Sequence, residues 1–210
     1  MTVTVSTAHG VDTFEVGAEA VVFLGRGRPL VRIGVPTVVL RPGETLVAVE
    51  LVTLCDLDRR ILSGAEHTRG PVVLGHEQVG RIVALSPLRR PRDATGHRLT
   101  VGDRVVWATG VAGHRYGHDR VERGWELSGG CATHVQVLAR TPMVRLAEDA
   151  PALGVAIASC GAVTAEQLAA AVDHAGAHEG TGEDADEFAL ADAERAFAAL
   201  AEGRRVSLRS

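Results

Sequence analysis

The run PVVLGHEQVGRIVAL at residues 71–85 sets an imidazole and a carboxylate, His76 and Glu77, side by side between two apolar stretches, with Cys55 upstream and Cys160 downstream. Thiolate and imidazole are good ligands for the borderline-soft zinc ion, and a carboxylate can add an oxygen ligand. Together these four side chains have the chemistry of a zinc site. Residue type alone leaves a plainer reading open, because cysteine is among the most often buried residues and a His-Glu pair in a loop is ordinary polar surface. The third cysteine, Cys131, has no such neighbours and reads as a small core residue in a strand.

All 22 basic residues are arginine. Without a lysine amine the chain cannot form a Schiff base, which excludes pyridoxal-phosphate enzymes and imine-forming aldolases. A metal ion is the obvious substitute for carbonyl chemistry. His114, Arg115, His118, Arg120 and Arg123, followed by Trp125, make a basic segment. Its planar guanidinium groups suit an anionic substrate such as a phosphate or phosphonate, to which each can donate two parallel hydrogen bonds. Arg115, His118, Arg123 and Trp125 are therefore candidate substrate contacts, against the alternative of a solvated loop.

The elements that must position these groups are mostly strands. Ala20–Leu24, Thr37–Leu40, Leu46–Leu54, Val79–Leu85, Arg104–Trp107, His134–Leu138 and Met143–Leu146 are rich in valine and leucine, and turn signals separate them at Arg41-Pro42-Gly43, Val101-Gly102-Asp103 and Ser128-Gly129-Gly130. This pattern predicts a small barrel or sandwich for the first 150 residues. The alanine-rich VTAEQLAAAVDHA at 163–175 predicts a helix, with Thr164 as a candidate N-cap. Residues 176–186 are polar, acidic and glycine-containing, and read as a linker. Beyond them, ADAERAFAALAEG places Phe197 and Leu200 on one helical face with Gly203 as the stop, and the alternating RRVSLR reads as a strand.

Composition bounds the function. A chain of 210 residues with 46% hydrophobic and 23% charged residues can bury one sizeable core. The net charge of −4, interspersed along the chain, argues against nucleic acid as a partner. No long apolar run marks a membrane span, and the start MTVTVSTAHG lacks the pattern of a signal peptide, so a cytoplasmic location is the default.

The motif GHExxG, here Gly75, His76, Glu77 and Gly80, resembles that of the zinc-containing medium-chain alcohol dehydrogenases. Residues 14–165 look like their GroES-like catalytic domain, and residues 187–209 look like the closing helix and final strand that return to it. Segments 115–134 and 156–165 are similar to the phosphonate-associated branch. The resemblance implies a mainly β fold with α (α+β), a GroES-like partly open β-barrel with a few flanking helices. It implies that residues 1–175 and 187–210 form a single zinc-binding catalytic domain, with linker 176–186 where relatives insert a Rossmann domain. It also assigns Cys55, His76 and Cys160 as zinc ligands, Glu77 as an alternative ligand beside the metal, and Asp58 as the hydrogen-bond partner that orients the histidine.

The departures from the family pattern shape the expected chemistry. No GxGxxG turn between a strand and a helix follows Cys160; GTG at 180–182 lacks a preceding strand, and Gly25 and Gly27 lack a following helix. Leu57 stands where relatives carry a proton-relaying hydroxyl, and Asp56 stands where an acid would repel a cofactor pyrophosphate. GVAGHRYGHD at 110–119 has none of the cysteines of a structural zinc lobe. The expectation is one zinc per chain, no NAD(P), and a non-redox lyase, hydratase, isomerase or hydrolase acting on a small oxygenated substrate, with Glu77 as general base and Asp58 as orienter. A catalytic half whose nucleotide domain comes from another polypeptide, and a non-catalytic zinc module, are the alternatives. The expected partner is a small molecule, with no nucleic acid or membrane, and a homodimer or a separate nucleotide-binding polypeptide is left open.

Overall fold

The structure, a computed structural model, describes residues 2–7, 10–15, 17–34, 37–66, 71–108, 129–177 and 184–210. Its backbone is a seven-stranded sheet in the order β11 (Met143–Arg145), β9 (Arg104–Trp107), β8 (Glu77–Leu85), β6 (Thr45–Leu54), β13 (Val206–Arg209), β12 (Asp186–Ala189), with β10 (His134–Val137) also paired to β6. Two three-stranded sheets flank it. One orders β2 (Gly10–Glu15), β1 (Thr2–Thr7) and β5 (Thr37–Leu40), and the other orders β4 (Leu30–Gly34), β3 (Glu19–Phe23) and β7 (Val72–Val73). Among the described residues the sheets stay open, in keeping with a mainly β, GroES-like fold with few helices.

Both faces of the large sheet are covered, which is why its strands read as nearly unbroken apolar runs rather than alternating ones. Successive residues of β9 serve opposite faces: Val105 and Trp107 join the main core, Val106 the second. On the main side Leu54, Ile82 and Leu208 pack with Phe197 and Leu200 of α4 (Ala193–Ala201). On the other side Leu51, Val79 and Val144 meet Val155 of α2 (Ala152–Ala158) and Leu168 of α3 (Ala165–Ala177).

The strands read from sequence recur within a residue or two, and the helix read at 163–175 is α3, with the Thr164 hydroxyl accepting from Gln167 N at 3.2 Å. Gly203 stops α4 as expected, at φ 87° with its N–H on Leu200 O. α3 reaches Ala177 and β12 starts at Asp186, so both extend slightly into 176–186. The sequence reading did not anticipate the helices α1 (Asp56–Ser63) and α2, nor the strands β1, β2, β4, β7 and β12. Gly25 and Gly27 sit in the turn between β3 and β4, both at positive φ, with no helix after them.

Candidate metal centre

β6 delivers the first candidate ligand. The strand ends at Leu54, and Cys55 then takes extended backbone angles to cap α1: its Sγ accepts from Leu57 N at 3.3 Å, while the Asp58 carboxylate accepts from Cys55 N at 3.0 Å. A sulfur at a helix N-terminus lies where negative charge is favoured. Asp56 pairs with Arg59 on the exposed side of α1, and Leu57 is half-buried against the core.

The histidine sits at the entry to β8, and the two glycines of its motif have steric reasons. Gly75 has φ 84°, and a Cβ there would come within 2.5 Å of Val52 Cγ2, so the turn closes only around glycine. Gly80 faces β6 where that strand bulges: Val49 pairs with Gly80 and Leu51 with Val79, leaving Glu50 as the extra residue. A Cβ on Gly80 would lie 2.2 Å from Ala48 O. The last candidate, Cys160, follows α2 in a turn held by its N–H on Ile157 O at 3.1 Å.

These segments converge. One ligand atom each from Cys55, His76, Glu77 and Cys160 lies within 4.8 Å of all the others. His76 Nε2 is 3.2 Å from Cys55 Sγ and 3.9 Å from Cys160 Sγ. Tetrahedral zinc with ordinary Zn–S and Zn–N bonds places such donors about 3.6 Å apart, so the donor set fits that ion. The other ring nitrogen, Nδ1, is 3.4 Å from Asp58 Oδ2, and Asp58, fully buried, also accepts from Gly75 N at 3.0 Å. That carboxylate thereby ties the Cys55 cap, the Gly75 turn and the imidazole together. His76 and Glu77 are buried, Cys55 is half-buried and Cys160 is exposed, so the cluster opens to solvent on the Cys160 side.

The electrostatics are those of a shared proton. A hydrogen bond from Cys160 brings the Cys55 thiol down to about 5, against its burial, and His76 lowers it further. Cys160 is pushed upward by the same hydrogen bond and by burial. Burial opposes a charge on His76, yet hydrogen bonds to Asp58 and Cys55 outweigh it and raise the imidazole to about 10. Burial raises the Glu77 carboxyl, with hydrogen bonds from Cys160 and Thr53 acting the other way. A cation among these atoms would take the place of the shared protons, because the ligands bind as thiolates and neutral imidazole.

Cys131 is the small core residue its sequence context suggested, fully buried, although it lies just before β10 rather than in a strand; burial pushes its thiol up. Arg115, His118, Arg123 and Trp125, with the cysteine-free stretch 110–119, lie outside the described residues, as does GTG at 180–182. Thr53 is a member of the site that sequence reading missed: it lies opposite Glu77 across the β6–β8 pair and its hydroxyl donates to that carboxylate. Only the strand register reveals it.

Residues 41–148, just over half of the 210-residue chain, match the family described as the alcohol dehydrogenase GroES-like domain. Similar solved structures include an alcohol dehydrogenase from Thermotoga maritima, 24% identical at a TM-score of 0.62, over 70% of this chain and 45% of that one. An alcohol dehydrogenase from Thermus sp. ATN1 is 25% identical at a TM-score of 0.51, over 67% of this chain and 43% of its own. A zinc-binding dehydrogenase from Sinorhizobium meliloti bound to NADP is 22% identical at 0.51, over 69% and 42%. The chain thus spans less than half the length of each. No curated protein is similar enough to count as a relative.

Proposed function

The chain belongs to the alcohol dehydrogenase GroES-like domain family, and from that premise we propose that it is a zinc-dependent enzyme of the non-redox kind. Its reaction would be a lyase, hydratase, isomerase or hydrolase step on a small oxygenated substrate. The observation that carries the reading is the convergence of Cys55, His76 and Cys160 into a three-donor set open to solvent on one side. Three protein ligands with one open position are the arrangement of a catalytic zinc site. When bound, zinc would supply Lewis acidity toward a carbonyl or hydroxyl oxygen of the substrate.

This chain's residues would do the rest. Cys55, His76 and Cys160 hold the ion, and Asp58 fixes the imidazole with Nε2 facing the sulfurs. Glu77, buried with its carboxylate in the same cluster, holds or moves a proton as general base. The proposal includes one zinc per chain and one GroES-like unit made of residues 1–175 and 187–210. In its support, β13 lies between β6 and β12 in the sheet that carries the site. Among the described residues no helix is long and apolar enough to cross a membrane, and the proposed setting is the cytoplasm.

Against nicotinamide chemistry stand Leu57, which has no hydroxyl to relay a proton, and the passage from α3 to β12, where residues 178–185 are too few for a nucleotide-binding domain. The second reading, a catalytic half served by a nucleotide domain on another polypeptide, is favoured by the dehydrogenase neighbours, one of them bound to NADP. Calorimetry of zinc-loaded protein with NAD and with NADP separates the two. No saturable heat at micromolar nucleotide is the expected result, and clear saturable binding would return the chain to the oxidoreductases.

A further inference from the structure

We propose that Thr53 is a positioning residue for the metal centre: its hydroxyl holds the Glu77 carboxylate as a hydrogen-bond acceptor and keeps it from closing the open ligand position. This inference rests on the metal reading above and goes beyond it. Thr53 is fully buried on β6, and Glu77, 4% exposed, stands directly opposite on β8 in antiparallel register. Side chains directly opposite one another share a face and meet, and the Thr53 hydroxyl donates to Glu77 Oε2. The same carboxylate has an oxygen within 4.8 Å of the donor atoms of Cys55, His76 and Cys160. It is therefore close enough to turn onto an ion held by those three.

The Thr53 hydroxyl donates to the Glu77 carboxylate across the strand pair, and the Cys160 thiol is the other potential donor group in the cluster. Cys160 can donate only while it keeps its proton, and as a metal ligand it is a thiolate. Thr53 then remains as the side-chain donor. A buried carboxylate that loses its hydrogen bond bears an uncompensated desolvation cost. The relief nearest to Glu77 is the cation itself. Thr53 also sits two residues before Cys55, which directly follows the end of β6 at Leu54, so the restraint and the first ligand are close neighbours along the chain.

Cobalt as the bound metal and imidazole as a probe of the open position test this. Wild-type protein should show thiolate-to-cobalt charge-transfer bands and a visible spectrum that imidazole shifts. Thr53→Val, which removes the hydroxyl and keeps the shape, should shift the cobalt bands before any imidazole is added. It should also weaken imidazole binding roughly tenfold or more, the scale of one lost hydrogen bond to a charged group. Thr53→Ser should restore both properties, which a merely structural role would not require. If the valine variant does not fold, Thr53→Ala, which also lacks the hydroxyl, is measured in the same way. Cobalt bands and imidazole affinity equal to wild type in the hydroxyl-free variant would overturn the proposal. Wild-type protein with no thiolate-to-cobalt band would instead overturn the metal reading on which it rests.

Discussion

Asp58 accepts from two backbone amides and faces the imidazole of His76, so one buried carboxylate aligns a helix cap, a glycine turn and a candidate ligand. Replacing it by asparagine keeps the shape and an oxygen acceptor while removing the charge that faces Nδ1. Partners of this kind are typically worth 10- to 100-fold in metal affinity. Asp58→Asn should therefore retain a folded protein with zinc bound roughly 10- to 100-fold more weakly in competition with a chromophoric chelator; unchanged affinity would remove Asp58 from the site. His76 and Glu77 were legible in the sequence because they stand in the GHExxG motif, and the family resemblance that this motif carries implied Cys55 and Cys160 as their companions. Thr53 was not, since its role depends on a register that the bulge at Glu50 sets. A threonine in an apolar strand looks like any other β-former.

At the scale of elements, the site depends on β6, which pairs with β8, β10 and β13 and ends in the Cys55 cap. β3, β5, β6 and β8 to β11 were legible because valine and leucine runs broken by turn residues leave few alternatives, whereas β1, β2, β4 and β7 were not read. α1 was not read either, because DLDRRILS is only eight residues long and follows the apolar run of β6 directly, although Leu57, Ile61 and Leu62 do fall on the face that packs against the core. β12, with its exposed acidic Glu187, resembles the linker before it more than a strand. The closing segment is a sharper case. Phe197 is buried in the main core with Leu54 and Leu208, although it lies far along the chain from the strands it covers. Phe197→Ala should lower the unfolding free energy by about 3–5 kcal/mol, the usual cost of emptying a buried aromatic site. Urea denaturation measures it. A loss below about 1 kcal/mol, the range of a surface substitution, would show α4 to be peripheral to the core.

For the molecule as a whole, the GroES-like unit brings together ligand candidates from three places: the end of β6, the start of β8 and the turn after α2. The glycines at 75 and 80 permit that approach, and both faces of the sheet are sealed around it. The fold class was legible because strand-forming runs dominate the first 150 residues, whereas the basic segment around Arg115 to Trp125 lies outside the described residues. The central claim is that this arrangement is a single zinc site built from Cys55, His76 and Cys160. Elemental analysis of gently purified protein tests it most directly, with His76→Ala as the control. The expected result is close to one zinc per wild-type chain and little or none in the variant. A wild-type content near zero or near two, or a variant that keeps its zinc, would contradict the account.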